Sequence, residues 1–110
     1  MHHVLSGEHC YSWLSKCRGL MFARAPKTLF FHFSTPTIIR LHMFFVLFPI
    51  DVILLNSKNR IVELNENLLP WSFFTGMNKA VCVIECAMGT VNRLRMRKGD
   101  TVEMQKLSES

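Results

Sequence analysis

The sequence predicts a compact, mainly β fold. Residues 42–55 form two apolar runs of strand length, interrupted only by Pro49 and Asp51, and each run could line a sheet on both faces. Turn-forming residues separate several other short apolar segments, whereas helical periodicity is present in one segment and no internal repeat occurs. A chain of 110 residues that is 49% hydrophobic and 19% charged can bury one core and is too apolar for disorder.

The two ends of the chain are expected to be flexible, over residues 1–10 and 106–110. His2, His3 and His9 follow no period that a helix or a strand would impose, which favours a frayed end over a metal site.

Residues 11–105 are expected to form a single β-rich domain that begins with a helix. The apolar residues of the segment 11–22 fall on one helical stripe, and Pro26 disfavours a continuation of this helix. Residues 28–34 are then predicted to form an aromatic strand that ends before Pro36.

The centre of the core is predicted in the next strands. Residues 39–48 have strand character up to Pro49, and we expect Phe44 and Val46 to be buried together with Ile53.

A hairpin is predicted after this strand, because four turn-forming residues at 56–59 separate the apolar runs 52–55 and 60–65. Residues 66–79 lack clean periodicity and carry more apolar bulk than a solvated loop. We therefore expect this segment to cover part of the core or to offer an apolar partner surface, with Leu69, Trp71, Phe73 and Phe74 as its contact residues.

The last elements are predicted to be short. Residues 80–86 have the pattern of a strand, and Thr90 could cap one helical turn over 91–94. A turn at 98–100 leads into a strand at 101–104.

The net charge and the spacing of the cysteines limit the kinds of site that the chain could hold. The net charge of +5 indicates weak attraction to anions. Cys10 and Cys17 would lie two helical turns apart, and Cys82 and Cys86 would lie about 13 Å apart on a strand, so neither pair could bridge locally or match zinc spacing. We therefore expect reduced cysteines and no metal. We also expect a cytoplasmic protein, since neither a secretory signal nor a transmembrane helix is visible.

His42, Asp51 and Glu85 are the candidate ligand or pocket residues. A bend at Pro49 could bring His42 near Asp51, and Glu85 could join them from the strand at 80–86, as in an acid–base or metal cluster. The alternative is structural: an internal aspartate at a strand end often accepts hydrogen bonds from backbone groups or caps a turn.

Two groups of basic residues are further candidates. Arg18 could bind a carboxylate or phosphate where the helix ends, or form a salt bridge with Glu63 or Asp100. The second group consists of Arg93, Arg95, Arg97 and Lys98. It could bind anions or nucleic acid from one face of a strand, or it could guard an edge strand against aggregation. We favour the guarded edge because no aromatic residue interleaves these cations.

Several groups of residues arrive in an order that resembles the uncharacterised family known as domain of unknown function 192, or uncharacterised protein family 0127. They cover about residues 13–104 and are Arg18-Gly19-Leu20-Met21-Phe22, His42-Met43-Phe44-Phe45-Val46, Phe48-Pro49-Ile50-Asp51-Val52, Leu68, Pro70, Val83-Ile84-Glu85, Gly89-Thr90 and Gly99-Asp100. The resemblance implies a small β-barrel-like fold with the N-terminal α-helix packed against it, and it implies no activity. The basic residues 93–98 depart from the family pattern.

No nucleophile elbow, phosphate loop or dinucleotide motif is present, so we expect a small binding or interaction module rather than an enzyme. A metal- or small-molecule-binding enzyme built on His42, Asp51 and Glu85 is the first alternative, and a weak nucleic-acid binder is the second. We expect no cofactor, no nucleic-acid partner and no membrane partner. The ligand would be a protein or a small molecule, and the protein would be a monomer or a weak homo-oligomer.

Overall fold

One six-stranded sheet forms most of the protein, as seen in a computed structural model that describes residues 1–10 and 25–107. The elements follow in the order β1 (His2–Cys10), β2 (Leu29–His42), β3 (Ile50–Leu55), β4 (Ile61–Leu68), β5 (Phe73–Ala87), α1 (Thr90–Leu94) and β6 (Thr101–Lys106). The prediction of a mainly β fold is therefore confirmed. The helix predicted over residues 11–22 lies outside the described residues.

The strands are arranged in the order β4-β3-β5-β2-β1-β6. β1 is parallel to both β2 and β6, and the other neighbouring strands are antiparallel. The two edge strands meet at one end, where Ile61 N–H donates to the Asp100 carbonyl (2.8 Å) and an isolated bridge joins Arg60 to Thr101. Beyond that contact the sheet is not closed into a barrel.

Both faces of the sheet carry a buried apolar cluster. Most members of each cluster come from β2, β3 and β5, because these three strands lie at the centre of the sheet and are buried on both faces. The fully buried members of the first cluster include Ile50, Val52, Leu54 and Val83, and those of the second include Phe30, Ile53, Leu55 and Ile84. The predicted burial of Val46 and Ile53 is confirmed.

The expectation of a frayed N-terminus is wrong for residues 2–10, which form β1 between β2 and β6. His3, Leu5 and Gly7 point inward and alternate with exposed neighbours, so the period is that of a strand. Gly7 is required here because a Cβ atom would lie 2.6 Å from the Thr28 carbonyl oxygen.

Strand β2 (Leu29–His42) joins the strand predicted at 28–34 to the first part of the strand predicted at 39–48. It continues past Pro36, because a register shift between His32 and Thr37 accommodates a residue without an N–H. It then ends at His42 instead of Phe48, and Phe44 is 36% exposed, which corrects the expectation that it lies in the core.

The predicted hairpin is confirmed as β3 and β4, with Asn56 N–H donating to the Arg60 carbonyl (3.0 Å). The predicted helical turn is confirmed as α1, although Gly89 in a left-handed conformation is its N-cap and Thr90 is not. The strand predicted at 80–86 is part of the longer β5, and the strand predicted at 101–104 is β6.

Cys82 and Cys86 are free and buried, and burial raises the pKa of each thiol to about 12. Cys10 is disulfide-bonded, so among the described cysteines the expectation of reduced thiols holds only for these two. Cys10 is the last residue of β1. The prediction that it could not form a local disulfide assumed that it lies on a helix and therefore does not apply. Within residues 1–10 and 25–107, no helix is long and apolar enough to cross a membrane.

A candidate aromatic binding surface

Asp51 is fully buried in β3, where its carboxylate accepts three backbone hydrogen bonds. Oδ1 accepts from Asn67 N–H (3.0 Å), and Oδ2 accepts from Gly89 N–H (3.1 Å) and Val91 N–H (3.0 Å). The carboxylate thus joins β3 to the end of β4 and to the start of α1. This is the structural alternative that the sequence left open for Asp51.

Glu85 and His42 lie in surroundings different from those of Asp51. Glu85 pairs with Val52 of β3, and the neighbouring pair is Asp51 with Cys86. Paired residues share a face of the sheet and consecutive residues alternate between faces, so Glu85 and Asp51 face opposite sides. Burial raises the pKa of the Glu85 carboxyl to about 7. His42 is exposed at the end of β2, and its Nδ1 accepts a hydrogen bond from Phe44 N–H (3.3 Å). The three side chains do not converge.

No three His, Cys, Asp or Glu side chains in the described part of the chain are placed together to hold a metal ion. Arg18 lies outside the described residues, and the two carboxylates considered as its partners have other roles. Glu63 accepts hydrogen bonds from Met77 N–H (2.8 Å) and Asn78 N–H (3.0 Å). Asp100 accepts from His3 and from the backbone of the turn that follows α1.

Among the described residues, four aromatic side chains meet on the surface and are called the aromatic patch here: Phe44, Phe45, Trp71 and Phe73. The rings of Phe44 and Phe73 are 5.1 Å apart and those of Phe45 and Trp71 are 4.9 Å apart, both edge to face. With the adjacent Leu47 and Leu69, the exposed fractions of these residues range from 36% to 71%. Contiguous exposed apolar surface of this kind marks an interaction site more often than scattered residues do. Phe74, expected on this surface, is buried instead.

Two turns carry the aromatic patch, and backbone hydrogen bonds tie them together. Met43 N–H donates to the Ser72 carbonyl and Trp71 N–H donates to the Met43 carbonyl, both at 2.8 Å. Ser72 N–H and its hydroxyl both donate to the Leu69 carbonyl (3.3 and 2.5 Å). The positions of the aromatic side chains are therefore fixed by two short loops that share one hydrogen-bonded junction.

Phe45 and Trp71 both have left-handed backbones, with φ of 60° and 62°. Such a conformation is unusual for a bulky residue and costs about 1–2 kcal/mol. Backbone strain of this kind concentrates at binding sites, where side-chain placement matters more than local stability. The sequence gives no sign of it, since neither residue is glycine or asparagine.

A cationic residue, Arg40, lies beside the aromatic patch. Arg40 and His42 are exposed on β2, opposite Thr75 and Phe73 of β5. No acidic residue occurs in the sequence between residues 38 and 50 or between residues 69 and 82.

The basic residues near α1 do not lie on a strand, so the expectation of a guarded edge strand is wrong. Arg93 belongs to α1, Arg95 is the left-handed residue that ends it, and Arg97 and Lys98 form the following turn. All four are exposed. Arg60 extends this group, because its Nη1 donates to the Gly99 carbonyl (3.1 Å).

Two histidine contacts were not predicted because their partners are distant in sequence. His3 Nε2 lies 2.8 Å from Asp100 Oδ2, and this hydrogen bond is the main reason why the pKa of Asp100 is lowered. His9 Nδ1 lies 2.7 Å from His32 Nε2, and burial together with the charge of His9 lowers the pKa of His32.

The chain is similar in sequence to a family described as an uncharacterised ACR, DUF192, whose model matches residues 3–104. A UPF0127 protein of Pyrococcus furiosus is 31% identical over 98 residues, 87% of this chain and 84% of that protein. A UPF0127 protein of Thermococcus sibiricus is 35% identical over 65 residues, and the match spans 42% of its length.

Two crystal structures share the fold. A protein of unknown function from Novosphingobium aromaticivorans superposes with a TM-score of 0.78 at 22% identity, over 87% of this chain and 71% of that one. A proposed transcription regulator from Sinorhizobium meliloti superposes with a TM-score of 0.71 at 27% identity, over 87% of this chain and 76% of that one.

Proposed function

We propose that this chain, which belongs to the DUF192 family, is a small binding module that contacts its ligand through the aromatic patch. The family is uncharacterised and assigns no activity. The proposal therefore depends on one observation of this chain: four aromatic side chains are held exposed on two joined turns, at the cost of a strained backbone at two of them. An enzyme built on His42, Asp51 and Glu85 is not proposed, because these residues do not converge.

The test is the binding of an apolar fluorescent dye, 1-anilinonaphthalene-8-sulfonate, to the native protein. We expect saturable binding to the wild type that weakens severalfold in Trp71→Ala and in Phe73→Ala. Leu107→Ala is the matched control, because Leu107 has the same exposed fraction as Trp71, 56%, and lies at the end of β6. Dye binding that is unchanged in both patch variants, or reduced equally in the control, would refute the proposal.

The barrel-like architecture implied by the family resemblance also remains a proposal. Its support is the contact between β4 and β6 at Arg60 and Thr101, together with the contribution of α1 to the second apolar cluster through Val91. Slow amide hydrogen exchange at Ile61 and Val102, whose N–H groups donate across this contact, would support closure.

A further inference from the structure

We propose that the aromatic patch docks onto the surface of an anionic phospholipid bilayer. This inference rests on the proposed binding function and names the partner. It concerns peripheral attachment, whereas the sequence-based expectation of no membrane partner considered only segments that cross a bilayer.

The first argument is the chemistry of the side chains. Trp71 and three phenylalanines lie at the tip of the surface, flanked by Leu47 and Leu69, and all are exposed. Tryptophan is enriched at membrane–water interfaces, and phenylalanine and leucine are typical of the apolar face of interfacial segments. The edge-to-face packing of the rings makes a projecting cluster rather than a flat platform on which a planar ligand could stack.

The second argument is the state of the backbone in the two turns. The N–H groups of Met43, Val46, Trp71 and Ser72 donate to carbonyl groups within the turns, and Phe44 N–H donates to the ring of its neighbour His42. In an apolar medium each unpaired donor would cost several kcal/mol, so these five hydrogen bonds reduce the cost for the turns to approach the acyl boundary.

The third argument is the charge behind the tip. Arg40 is two residues from the end of β2, which places it about 7 Å from the level of Phe73, within the about 5–10 Å depth of an interfacial segment. Lys79, opposite Ile38 of β2, continues the outward face of β5 beyond Thr75 and Met77. Cations in this position attract anionic headgroups while the aromatic residues enter the boundary.

The experiment is cosedimentation with phosphatidylcholine vesicles, with and without phosphatidylserine. We expect binding that requires phosphatidylserine, weakens with salt, and falls about tenfold in Trp71→Ala and Phe73→Ala, because each substitution removes one large apolar side chain from the interface. Leu107→Ala should bind as the wild type does. Arg40→Gln should bind more weakly than Arg93→Gln, which removes the same charge from α1.

A second readout separates insertion from charge attraction. The sequence has two tryptophans, so a Trp13→Phe variant leaves Trp71 as the only tryptophan, whose fluorescence can be excited selectively at long wavelength. Its emission should shift to shorter wavelength on vesicles and be quenched by brominated phosphatidylcholine.

Absence of vesicle binding in the wild type, with dye binding to the patch retained, would overturn the bilayer as partner and leave the binding module, with a protein as its ligand. Vesicle binding that responds equally to Arg40→Gln and Arg93→Gln and ignores Trp71→Ala would also overturn it, since net charge alone would then explain attachment.

Discussion

Asp51 is a polar residue whose removal should disturb the fold strongly. Its carboxylate accepts hydrogen bonds from three backbone N–H groups on two other segments, and it has no exposed surface. Asp51→Ala leaves these donors buried without an acceptor, at about 1–3 kcal/mol each, so we expect it to lower the free energy of unfolding by about 3 kcal/mol or more.

Urea denaturation measures this loss, with the exposed Glu66→Ala as a control that should change stability by less than about 0.5 kcal/mol. Asp51→Asn should fall between the two, because its carbonyl can replace only one of the two carboxylate oxygens. A loss below about 1 kcal/mol in Asp51→Ala would contradict the role assigned to these hydrogen bonds.

Glu85 should make stability depend on pH. Its pKa is raised by burial from 4.5 to about 7, so between these values the unfolded chain has released a proton that the folded chain keeps. The free energy of unfolding therefore falls as pH rises through this window and is constant above it. The loss attributable to Glu85 is about 3 kcal/mol.

Glu85→Gln lacks this titration and should be more stable than the wild type at pH 8 but not at pH 4. Denaturation midpoints across this range give the difference, and the comparison cancels the opposite contribution of His32, whose pKa is lowered. Glu66→Gln, at an exposed position, should leave the pH profile unchanged. Parallel profiles for the wild type and Glu85→Gln would show that the carboxyl is not desolvated.

At the scale of elements, the turns of the aromatic patch contain a position where glycine should be more stable than alanine. Trp71 has φ of 62°, where alanine is strained and glycine is not, so Trp71→Gly should be more stable than Trp71→Ala by about 1 kcal/mol. Phe73, which begins β5, should show the opposite order, since glycine weakens a strand. Thermal denaturation of the four variants decides, and a Trp71→Gly variant that is no more stable than Trp71→Ala would mean that Trp71 is not strained.

Local chemistry explains which elements could be predicted from the sequence. The β3–β4 hairpin follows from four turn-forming residues between two apolar runs. The helical turn α1 was predicted in the right place from Gly89 and Thr90, although the residue expected to cap it was Thr90. The path of residues 43–48 could not be predicted, because a left-handed Phe45 has no sequence signal and an apolar run is equally consistent with a buried strand. The strand at residues 2–10 was missed because its inward residues include His3 and Gly7.

At the scale of the whole molecule, we expect only weak binding to nucleic acid. The exposed cations from Arg93 to Lys98 could neutralise three or four phosphates, and no aromatic side chain lies among them in sequence. Filter binding at about 150 mM salt should give a dissociation constant weaker than about 10⁻⁵ M. Submicromolar binding that is lost when Arg93, Arg95 and Arg97 are replaced by alanine would make this surface the functional one.

The candidate site was harder to predict than the fold, since its parts come from two turns that are distant in sequence. Trp71 and Phe73 were expected on a partner surface because of the apolar bulk around them. Phe44 and Phe45 were assigned to the core or its strand, and the hydrogen bonds of Met43 with Ser72 and with Trp71 bring them beside Trp71. Conversely, His42, Asp51 and Glu85 were predicted from the sequence to form a cluster, but the strand register places Asp51 and Glu85 on opposite faces of the sheet.

The two hydrogen bonds that tie the turns together, donated by Met43 N–H and Trp71 N–H, join main-chain atoms only. The shape of the turns therefore depends little on which side chains occupy positions 44, 47, 69 and 73. Related proteins could keep this scaffold and present quite different contact residues from it. Combinatorial libraries at these four positions, with glycine or asparagine also allowed at 45 and 71, should yield folded variants with new binding preferences.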